Sequence, residues 1–429
     1  MERIYINGGN RLHGKVEISG AKNAAVALIP AALLADDVVE LENVPHIADI
    51  SSMVSVLKDL GVSIHYLDEH TLRIDSRGLV NRPADSEGVR KMRASYYLLG
   101  VLLGRFGSAD VVFPGGCNFG IRPIDLHLKG FESLGATVEA KDRIQVRAEH
   151  LHGANIFLDV VSVGATINIM LAAVLADGTT VISNAAKEPH VVDTANFLNS
   201  MGANISGAGT DRIVIRGVRR LHGTTYQIIP DQIEAGTYMV AAAITGGDIT
   251  VRNIIPKHMD SISAKLLDMG AFIEEFDDAI RVCAPEPLKD TVIKTAPYPG
   301  FPTDMQPQFM TLMSVVRGTS IITENVWDNR FQYVTQLHKL GADISVDGRV
   351  AVVKGVDHLD GCEVEATDLR AGAAMVLAGL AARGTTVITN VKYISRGYEA
   401  MVQKLVQLGA DIRLEGAAAD PIIVEGRVG

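Results

Sequence analysis

The sequence has few cysteines and no long apolar segment. Its three cysteines, Cys117, Cys283 and Cys362, have neither the spacing of metal ligands nor an even number for disulfide pairing, which is typical of a reducing compartment. The N-terminal stretch MERIYINGGNRLHG lacks the apolar core of a signal peptide. Apolar runs such as 371–382 are interrupted by glycine and are too short to cross a membrane. We therefore expect a cytoplasmic protein without a membrane partner.

The chain also lacks the motifs of several large enzyme classes. It has no P-loop, no GxGxxG after a strand, no HExxH and no GxSxG, so nucleotide hydrolysis, hydride transfer, zinc proteolysis and serine hydrolysis lack their usual parts. A net charge of −10 over 429 residues disfavours nucleic acid as a partner. An anionic ligand would therefore need a local cluster of arginine and lysine.

A short phrase, Leu/Phe-x-x-Leu/Met-Gly-Ala/Val, recurs six times at intervals of about seventy residues. Each copy is typical of an amphipathic helix that ends at a C-terminal glycine and is followed by a strand. We therefore predict six copies of one structural unit, whose helix-ending glycines are Gly61, Gly135, Gly202, Gly270, Gly341 and Gly409.

Each unit also contains a second kind of helix, which is apolar on nearly every side and is predicted to be buried. A strand such as GTTVISN or GTTVITN follows it. The predicted order is strand, buried helix, strand, surface helix, strand, strand. Because three buried helices are enough to fill one core, we expect two domains of three units. The boundary is predicted near Pro230, and the opening strand, 3–18, could join either half.

A polar phrase precedes each predicted buried helix, where free N–H groups and the helix dipole attract anions. Three of these phrases contain Lys22, Arg93 or Arg370. If the buried helices of both halves point toward one cleft, these residues would bind a ligand with several negative charges. As an alternative, each cation could be a solvated residue at the start of a helix.

Four further residues have a functional and a structural interpretation. Asp304 and Asp368 lie in two of the polar phrases and could bind the ligand or serve as N-caps, a position that aspartate favours. Arg330 in WDNRF and Arg396 in SRGYE follow strands of the last two units and could complete the cationic set or be ordinary surface arginines.

A glycine-rich segment, 111–126, places Cys117 five residues before Arg122. Proline and glycine on both sides predict a loop. A nearby arginine lowers the pKa of a thiol, which suits proton transfer or covalent attack. A buried, inert cysteine is the alternative. In a further alternative, His127 would be the base of a thiol hydrolase.

Ten motifs are spread over the chain: SGAKNAA at 19–25, KMRAS at 91–95, PGGC at 114–117, RPIDLH at 122–127, SVGAT at 162–166, AAKEP at 185–189, FPTDMQ at 301–306, NRF at 329–331, ATDLRA at 366–371 and RGYE at 396–399. Together they resemble the UDP-N-acetylglucosamine 1-carboxyvinyltransferases of bacterial peptidoglycan synthesis. The resemblance covers essentially the whole chain.

The resemblance implies a two-domain inside-out α/β barrel of six βαβαββ repeats, three per domain, with buried parallel helices. Residues 1–20 and 230–429 would form domain I, and 21–229 domain II. The implied reaction transfers the enolpyruvyl group of phosphoenolpyruvate to the 3′-hydroxyl of UDP-N-acetylglucosamine and releases phosphate. The family needs no metal or organic cofactor, so none is expected, and a monomer is favoured.

The resemblance also implies roles for individual residues. Cys117 would act as general acid, form a covalent thioketal with phosphoenolpyruvate and be alkylated by fosfomycin, and Asp304 would be the base for the sugar hydroxyl. The substrate phosphate would contact Lys22, Arg122 and Arg396. The carboxylate side would contact Arg330 and Arg370, with Asp368 and Leu369 beside them. Asn23 would hold the intermediate. The UDP-sugar would contact Arg93, Arg122, Pro123, Ile124, Asp125, Leu126, Ser162, Val163, Gly164 and Val326.

The sequence departs from the family pattern at two places. Val160 stands where many members carry a lysine, so no nucleotide contact is expected there. Asn118 and Phe119 follow the cysteine where Ala-Ile is common, which could alter loop dynamics or inhibitor access.

The sequence disfavours three other functions. A 3-phosphoshikimate 1-carboxyvinyltransferase lacks the PGGC loop, and an RNA-end-processing cyclase would need a basic surface. A catalytically weak regulatory paralogue is opposed by the retained Cys117 and Asp304.

Overall fold

The computed structural model describes residues 2–113, 124–285 and 287–416. Two compact units are present, with chain boundaries after Ile18 and after Asp231. Unit I comprises the chain before and after these boundaries, except 297–299, and unit II comprises residues 19–231 together with 297–299. No helix within the described ranges is long and apolar enough to span a membrane.

Unit I begins with two strands, β1 (Arg3–Asn7) and β2 (His13–Glu17). The chain then forms unit II, whose elements are α1 (Lys22–Ala31), β3 (Val38–Glu42), α2 (Ala48–Asp59), β4 (Ser63–Tyr66), β5 (Leu72–Asp75), α3 (Glu87–Lys91), α4 (Tyr97–Phe106), β6 (Ser108–Val112), α5 (Asp125–Ser133), β7 (Thr137–Ala140), β8 (Arg143–Arg147), β9 (Asn155–Phe157), α6 (Val163–Ala173), β10 (Thr179–Ser183), α7 (Pro189–Ser200), β11 (Asn204–Ser206), β12 (Arg212–Arg216) and β13 (Thr225–Gln227).

The chain then returns to unit I. Its remaining elements are α8 (Gln232–Thr245), β14 (Asp248–Arg252), α9 (Asp260–Asp268), β15 (Phe272–Glu275), β16 (Ala279–Cys283), β17 (Val292–Lys294), α10 (Gln306–Ser314), β18 (Thr319–Thr323), α11 (Val334–Lys339), β19 (Asp343–Asp347), β20 (Val350–Lys354), β21 (Glu363–Glu365), α12 (Leu369–Ala381), β22 (Thr385–Thr389), α13 (Met401–Gln407) and β23 (Asp411–Glu415). Short 3-10 helices lie at Ala32–Leu34, Arg93–Tyr96, Pro256–Met259, Thr303–Met305 and Val391–Arg396.

The strands form six small sheets, three in each unit, and confirm the sixfold repeat. The sheet orders are β13-β3-β5-β4, β6-β8-β7 and β11-β12-β10-β9 in unit II, and β15-β16-β14-β2, β17-β18-β20-β19 and β21-β22-β1-β23 in unit I. The inside-out arrangement therefore consists of separate sheets around buried helices, and the described residues form no hydrogen-bonded closed barrel.

The opening strands both belong to unit I. β1 lies between β22 and β23 and is antiparallel to both, so it takes the place that the last strand of a repeat would occupy. β2 pairs in parallel with β14, and β13 pairs in parallel with β3. Each unit is therefore completed by strands that lie far away in the chain.

The predicted buried helices are α1, α4 and α6 in unit II and α8, α10 and α12 in unit I. In α12 every residue from Leu369 to Leu380 is buried. The apolar character on all sides of these helices is explained by this position, because each packs against other helices and all but α1 also pack against strands.

The six repeated glycines end the surface helices as predicted. All six have a positive φ between 93° and 98°. At the first copy, the Gly61 N–H donates to the Lys58 carbonyl at 2.9 Å and the Val62 N–H to the Leu57 carbonyl at 3.1 Å. This is a Schellman motif, which requires a left-handed residue at the glycine position.

Candidate active site

Lys22 is fixed at the start of α1. The Ala21 N–H donates to the Ile229 carbonyl at 2.7 Å, and the Lys22 N–H donates to Asp231 Oδ2 at 2.9 Å. Lys22 Nζ lies 3.2 Å from Asp49 Oδ2, and both side chains are largely buried. The buried carboxylate therefore orients the ammonium group at the helix N-terminus.

Asp193, on α7, holds the segment that anchors α1. Tyr226 Oη donates to Asp193 Oδ1 at 2.6 Å, and the Ile229 N–H donates to Oδ2 at 3.4 Å. Burial raises the pKa of Asp193 to about 6, against the opposing effect of these two hydrogen bonds. The carboxylate is thus stabilised by its partners but is costly to ionise in the folded protein.

Asp193→Asn is expected to change how stability depends on pH. The pKa of Asp193 is about 6 in the folded protein and ordinarily 3.8. The folded state therefore binds more protons than the unfolded state between these values, and the free energy of unfolding falls as pH rises through that window. This decrease should be absent in the variant. At neutral pH its free energy of unfolding should therefore exceed that of the wild type by up to about 3 kcal/mol. Urea unfolding across the window measures the effect.

A matched control is Asp59→Asn, which changes an exposed residue of α2. It should leave the pH dependence of the wild type unchanged. Subtracting the variant from the wild type also removes the contribution of His127, whose pKa burial lowers to about 4 and whose slope has the opposite sign. Parallel curves for the wild type and Asp193→Asn would contradict the prediction.

An amide side chain on α6 organises a second group of predicted site residues in unit II. Asn168 Oδ1 accepts the Gly100 N–H at 2.8 Å, so its Nδ2 is the donor to the Tyr96 carbonyl at 2.8 Å and to His127 Nδ1 at 2.9 Å. Burial first, and then the charge of Arg93, lowers the pKa of His127 to about 4. His127 is therefore neutral at pH 7, with its proton on Nε2.

The start of α6 lies against this histidine. Ser162 is the N-cap, and its Oγ accepts the Ala165 N–H at 3.3 Å. A Cβ added at Gly164 would lie 3.1 Å from His127 Cε1 and 3.2 Å from its Nε2. The absent side chain therefore lets the imidazole approach the helix, and Ser162, Val163 and Gly164 form one group with His127.

Arg93 and the residues before His127 complete the described part of this group. Arg93 lies in a 3-10 helix, and its Cζ is 5.9 Å from the centre of the Tyr96 ring. Burial lowers the pKa of Arg93, and the two tyrosines that follow it oppose that shift. Ile124 is the N-cap of α5, Asp125 is its first residue and Leu126 is buried.

In unit I, one carboxylate lies between two buried arginines. Asp304 belongs to the 3-10 helix that precedes α10. Arg330 Nη2 donates to Asp304 Oδ1 at 3.3 Å, and Arg370 Nε donates to Oδ2 at 3.1 Å. The arginines are only 4% and 3% exposed. Two cations and one anion leave a local positive charge in a chain whose overall charge is −10, as expected of a site for anions.

Tyr398 also supports Arg370. The Arg370 Cζ lies 5.4 Å from the centre of the Tyr398 ring. Thr237 Oγ1 donates to the Ile233 carbonyl, so Tyr398 Oη is the donor to Thr237 Oγ1 at 2.9 Å. Gln308 Nε2 donates to Tyr398 Oη at 3.2 Å. The stacked, hydrogen-bonded ring fixes the plane of the guanidinium.

Asp368 has the capping role that the sequence offered as one alternative. Its Oδ1 accepts the Arg370 N–H at 2.8 Å and the Ala371 N–H at 3.0 Å, which caps α12. The cap places Arg370 in the first turn, and Leu369 beside it is buried. A substrate contact of Asp368 or Leu369 stays a prediction.

The remaining described residues have these positions. Asn23 is the second residue of α1 and is half-buried. Val326 donates its N–H to Glu324 Oε1 at 2.8 Å. Arg396 ends the 3-10 helix Val391–Arg396 and is half-buried.

Cys117, Asn118, Phe119, Arg122 and Pro123 lie outside the described residues. The alternative in which His127 activates Cys117 as a hydrolase therefore stays untested. Among the residues that are described, no group of three or more His, Cys, Asp or Glu side chains is arranged to hold a metal ion.

Several organising residues were not predicted from the sequence. They are Asp49, Asn168, Glu324 and Tyr398, which hold Lys22, His127, Val326 and Arg370 respectively. Only Tyr398 carried a signal, since it lies in the RGYE motif. The others are buried polar residues, and a buried polar side chain must find a partner, but the sequence does not show which one.

Comparison with known proteins gives full-length matches. The sequence profile of the family EPSP synthase (3-phosphoshikimate 1-carboxyvinyltransferase) matches residues 6–426. UDP-N-acetylglucosamine 1-carboxyvinyltransferase 3 of Caldanaerobacter subterraneus subsp. tengcongensis is 57% identical over 413 residues, which cover 96% of this chain and 99% of that protein. UDP-N-acetylglucosamine 1-carboxyvinyltransferase 2 of Clostridium acetobutylicum is 55% identical, with coverage of 97% and 100%.

Solved structures agree with these relatives. The enolpyruvyl transferase NikO from Streptomyces tendae matches with a TM-score of 0.86 and 29% identity, over 97% of this chain and 99% of that chain. The EPSP synthase from Acinetobacter baumannii matches with a TM-score of 0.76 over 97% and 100% of the two chains, but at 20% identity this likeness shows the fold alone. The chain therefore belongs to the UDP-N-acetylglucosamine 1-carboxyvinyltransferase family.

Proposed function

We propose that the protein transfers the enolpyruvyl group of phosphoenolpyruvate to the 3′-hydroxyl of UDP-N-acetylglucosamine and releases phosphate. This is the first committed step of peptidoglycan synthesis. The observation that carries the proposal is the Asp304 carboxylate between the buried Arg330 and Arg370 guanidinium groups. It combines an acceptor for a proton with two fixed cations for a carboxylate substrate. The chain is also 57% identical to a relative named UDP-N-acetylglucosamine 1-carboxyvinyltransferase 3.

The reaction proceeds by addition and elimination. In the addition, the sugar oxygen bonds to C2 of phosphoenolpyruvate, C3 gains a proton, and the sugar hydroxyl loses its proton. In the elimination, the tetrahedral ketal loses phosphate, and the C3 methyl group loses a proton to restore the double bond. Both steps need a proton donor and a proton acceptor in fixed positions.

The proposed roles follow the chemistry of each side chain. Cys117 delivers the proton to C3, and Asp304 accepts the proton of the sugar hydroxyl. Arg330 and Arg370 are proposed to bind the substrate carboxylate, because a guanidinium presents paired donors to a carboxylate. The phosphate group is assigned to Lys22, Arg122 and Arg396, which stabilise the charge that develops as phosphate leaves.

The remaining contacts are assigned to the sugar nucleotide and the intermediate. Asn23 is proposed to hold the tetrahedral ketal. The UDP-sugar is assigned to Arg93, Ile124, Asp125, Leu126, Ser162, Val163, Gly164 and Val326, and to Arg122 and Pro123. Asp368 and Leu369 are proposed to contact substrate beside Arg370. A cytoplasmic location and a monomeric state stay predictions from the sequence.

Phosphate release tests the proposal. The enzyme should release phosphate from phosphoenolpyruvate only when UDP-N-acetylglucosamine is present, and the sugar nucleotide should gain the mass of an enolpyruvyl group. Shikimate 3-phosphate, the acceptor of the sister enzyme, should elicit no release. Release with shikimate 3-phosphate, or none with the UDP-sugar, would refute the proposed reaction.

Cys117→Ser is expected to lower the rate of phosphate release at least tenfold. A serine hydroxyl is a far weaker acid than a thiol, so proton delivery to C3 would be slowed. The control is Cys283→Ser, which changes a half-buried cysteine of β16 and should retain the wild-type rate. A Cys117→Ser rate within twofold of wild type would exclude the thiol as the acid.

A further inference from the structure

A buried glutamate with no predicted role lies directly after β18. Glu324 is 1% exposed. Its Oε2 accepts the Thr303 hydroxyl at 2.9 Å. Its Oε1 accepts the Val326 N–H at 2.8 Å and the Trp327 N–H at 3.1 Å. A carboxylate without solvent is costly unless donors surround it, and here both oxygens have donors.

A second threonine completes the arrangement. Thr295 Oγ1 lies 2.8 Å from Glu324 Oε1, and it also accepts the Asn325 N–H at 2.8 Å. Because that contact uses the oxygen as acceptor, the single hydroxyl proton of Thr295 is available to Glu324. Glu324 therefore receives four donors from three separate stretches of chain, near residues 295, 303 and 326.

These stretches include the residues assigned to the reaction. Thr303 directly precedes Asp304 in the same 3-10 turn. Val326 begins the segment that leads to Arg330, and Arg330 returns to Asp304 with a hydrogen bond of 3.3 Å. Glu324, Thr303, Asp304, Arg330 and the segment from 326 to 330 thus form a closed ring of covalent and hydrogen-bonded links.

We propose that Glu324 is a positioning residue, whose single carboxylate holds two substrate-contacting segments in place. Its Oε2 fixes the turn that carries Asp304, and its Oε1 fixes the segment that carries Val326. The roles of Asp304 and Val326 in this statement rest on the proposed function. Glu324 itself touches neither substrate in this scheme, and it acts through Thr303 and through the N–H groups of Val326 and Trp327.

The two oxygens can be tested separately. Thr303→Val removes only the hydroxyl that joins Oε2 to the Asp304 turn. We expect kcat to fall about tenfold, because a small misplacement of a catalytic group costs this much or more, while the KM for UDP-N-acetylglucosamine stays within twofold. Thr303→Ser, which keeps the hydroxyl, should restore most of kcat.

Thr295→Val instead weakens the Oε1 side. We expect the KM for UDP-N-acetylglucosamine to rise about fivefold, with the smaller effect on kcat. Trp327 is the only tryptophan of the chain, so its fluorescence reports on this segment in the absence of substrate. Acrylamide should quench Trp327 more strongly in Thr295→Val than in the wild type, and equally in Thr303→Val and the wild type.

The matched control is Thr335→Val, which changes an exposed threonine of α11 whose hydroxyl donates to the Gln332 carbonyl at 3.0 Å. It should leave kcat, KM and quenching at wild-type values. A purely structural role of Glu324 would lower the melting temperature of Thr295→Val and Thr303→Val without separating kcat from KM. That result, or kinetic constants of both variants within twofold of wild type, would overturn the proposal.

The role of Glu324 can be tested even if the proposed function is wrong. If the wild type releases no phosphate with the UDP-sugar, the proposed function fails. The quenching series still decides the role of Glu324 in that case, because it needs no turnover. Equal quenching of Trp327 in Thr295→Val and the wild type would show that Glu324 does not hold this segment.

Discussion

Asp304→Asn is expected to lower kcat by about 10²–10⁴-fold, the contribution of a positioned general base. An amide cannot accept the proton of the sugar hydroxyl. The substitution also changes the local charge, because the wild-type carboxylate lies 3.3 Å from Arg330 and 3.1 Å from Arg370. Removing this negative charge leaves the attraction of both guanidinium groups for the substrate carboxylate less compensated. The KM for phosphoenolpyruvate should therefore not rise, and steady-state kinetics of phosphate release measures both constants.

The control for this variant is Asp343→Asn, which makes the same change at an exposed position of β19 and should retain the wild-type kcat. Circular dichroism should show that Asp304→Asn is folded. A folded variant whose kcat stays within tenfold of the wild type would exclude Asp304 as the base. A KM for phosphoenolpyruvate that rises strongly would instead indicate that Asp304 helps to bind this substrate.

Arg105→Met is expected to lower the free energy of unfolding by about 3 kcal/mol, because it orphans several buried acceptors. Arg105 lies in the last turn of α4, and its side chain is 12% exposed. It donates to the Leu33 carbonyl, to the Ala35 carbonyl at 2.9 Å and to both oxygens of Ser76 at 3.0 and 3.1 Å. Methionine keeps the apolar packing of the side chain but supplies no donor. Urea unfolding measures the loss.

Arg77→Met is the matched control for this prediction. Arg77 pairs with Asp75 at 2.6 Å, but its side chain is 61% exposed. Exposed ion pairs contribute at most about 1 kcal/mol. A loss in Arg105→Met no larger than in Arg77→Met would show that water satisfies the carbonyl groups when the guanidinium is gone.

The local features of the repeat could be predicted because they depend on residues close in sequence. The six glycines have the positive φ that the phrase predicted, since a Schellman motif is closed within one helical turn. The burial of the helices that are apolar on every side is also a local prediction, because a helix without a polar face cannot be stable in water. The family could also be predicted from the motifs, and the full-length relatives confirm it.

The candidate site was predicted only in part. The polar phrases before the buried helices included Asp304 and Arg370, and the structure joins these two with Arg330. The capping role of Asp368 could not be separated from substrate binding by sequence, because an N-cap and an anion use the same N–H groups. Residues such as Asp49 and Asn168 were missed, since their contacts lie 27 and 41 residues away.

By itself, the sequence determined the number of repeats, the kind of helix in each and where the helices end. Only the tertiary structure decided which strands complete each sheet. Nothing within β1 indicates that it pairs with β22 and β23, two strands that lie more than 370 residues later in the chain. The physical reason is that alternating apolar residues fix which face of a strand is buried, but they do not specify the neighbour across the hydrogen bonds. The same holds for Glu324, whose burial is favourable only because Thr295 and Thr303, 29 and 21 residues away, bring donors to it beside the N–H groups of the adjacent chain.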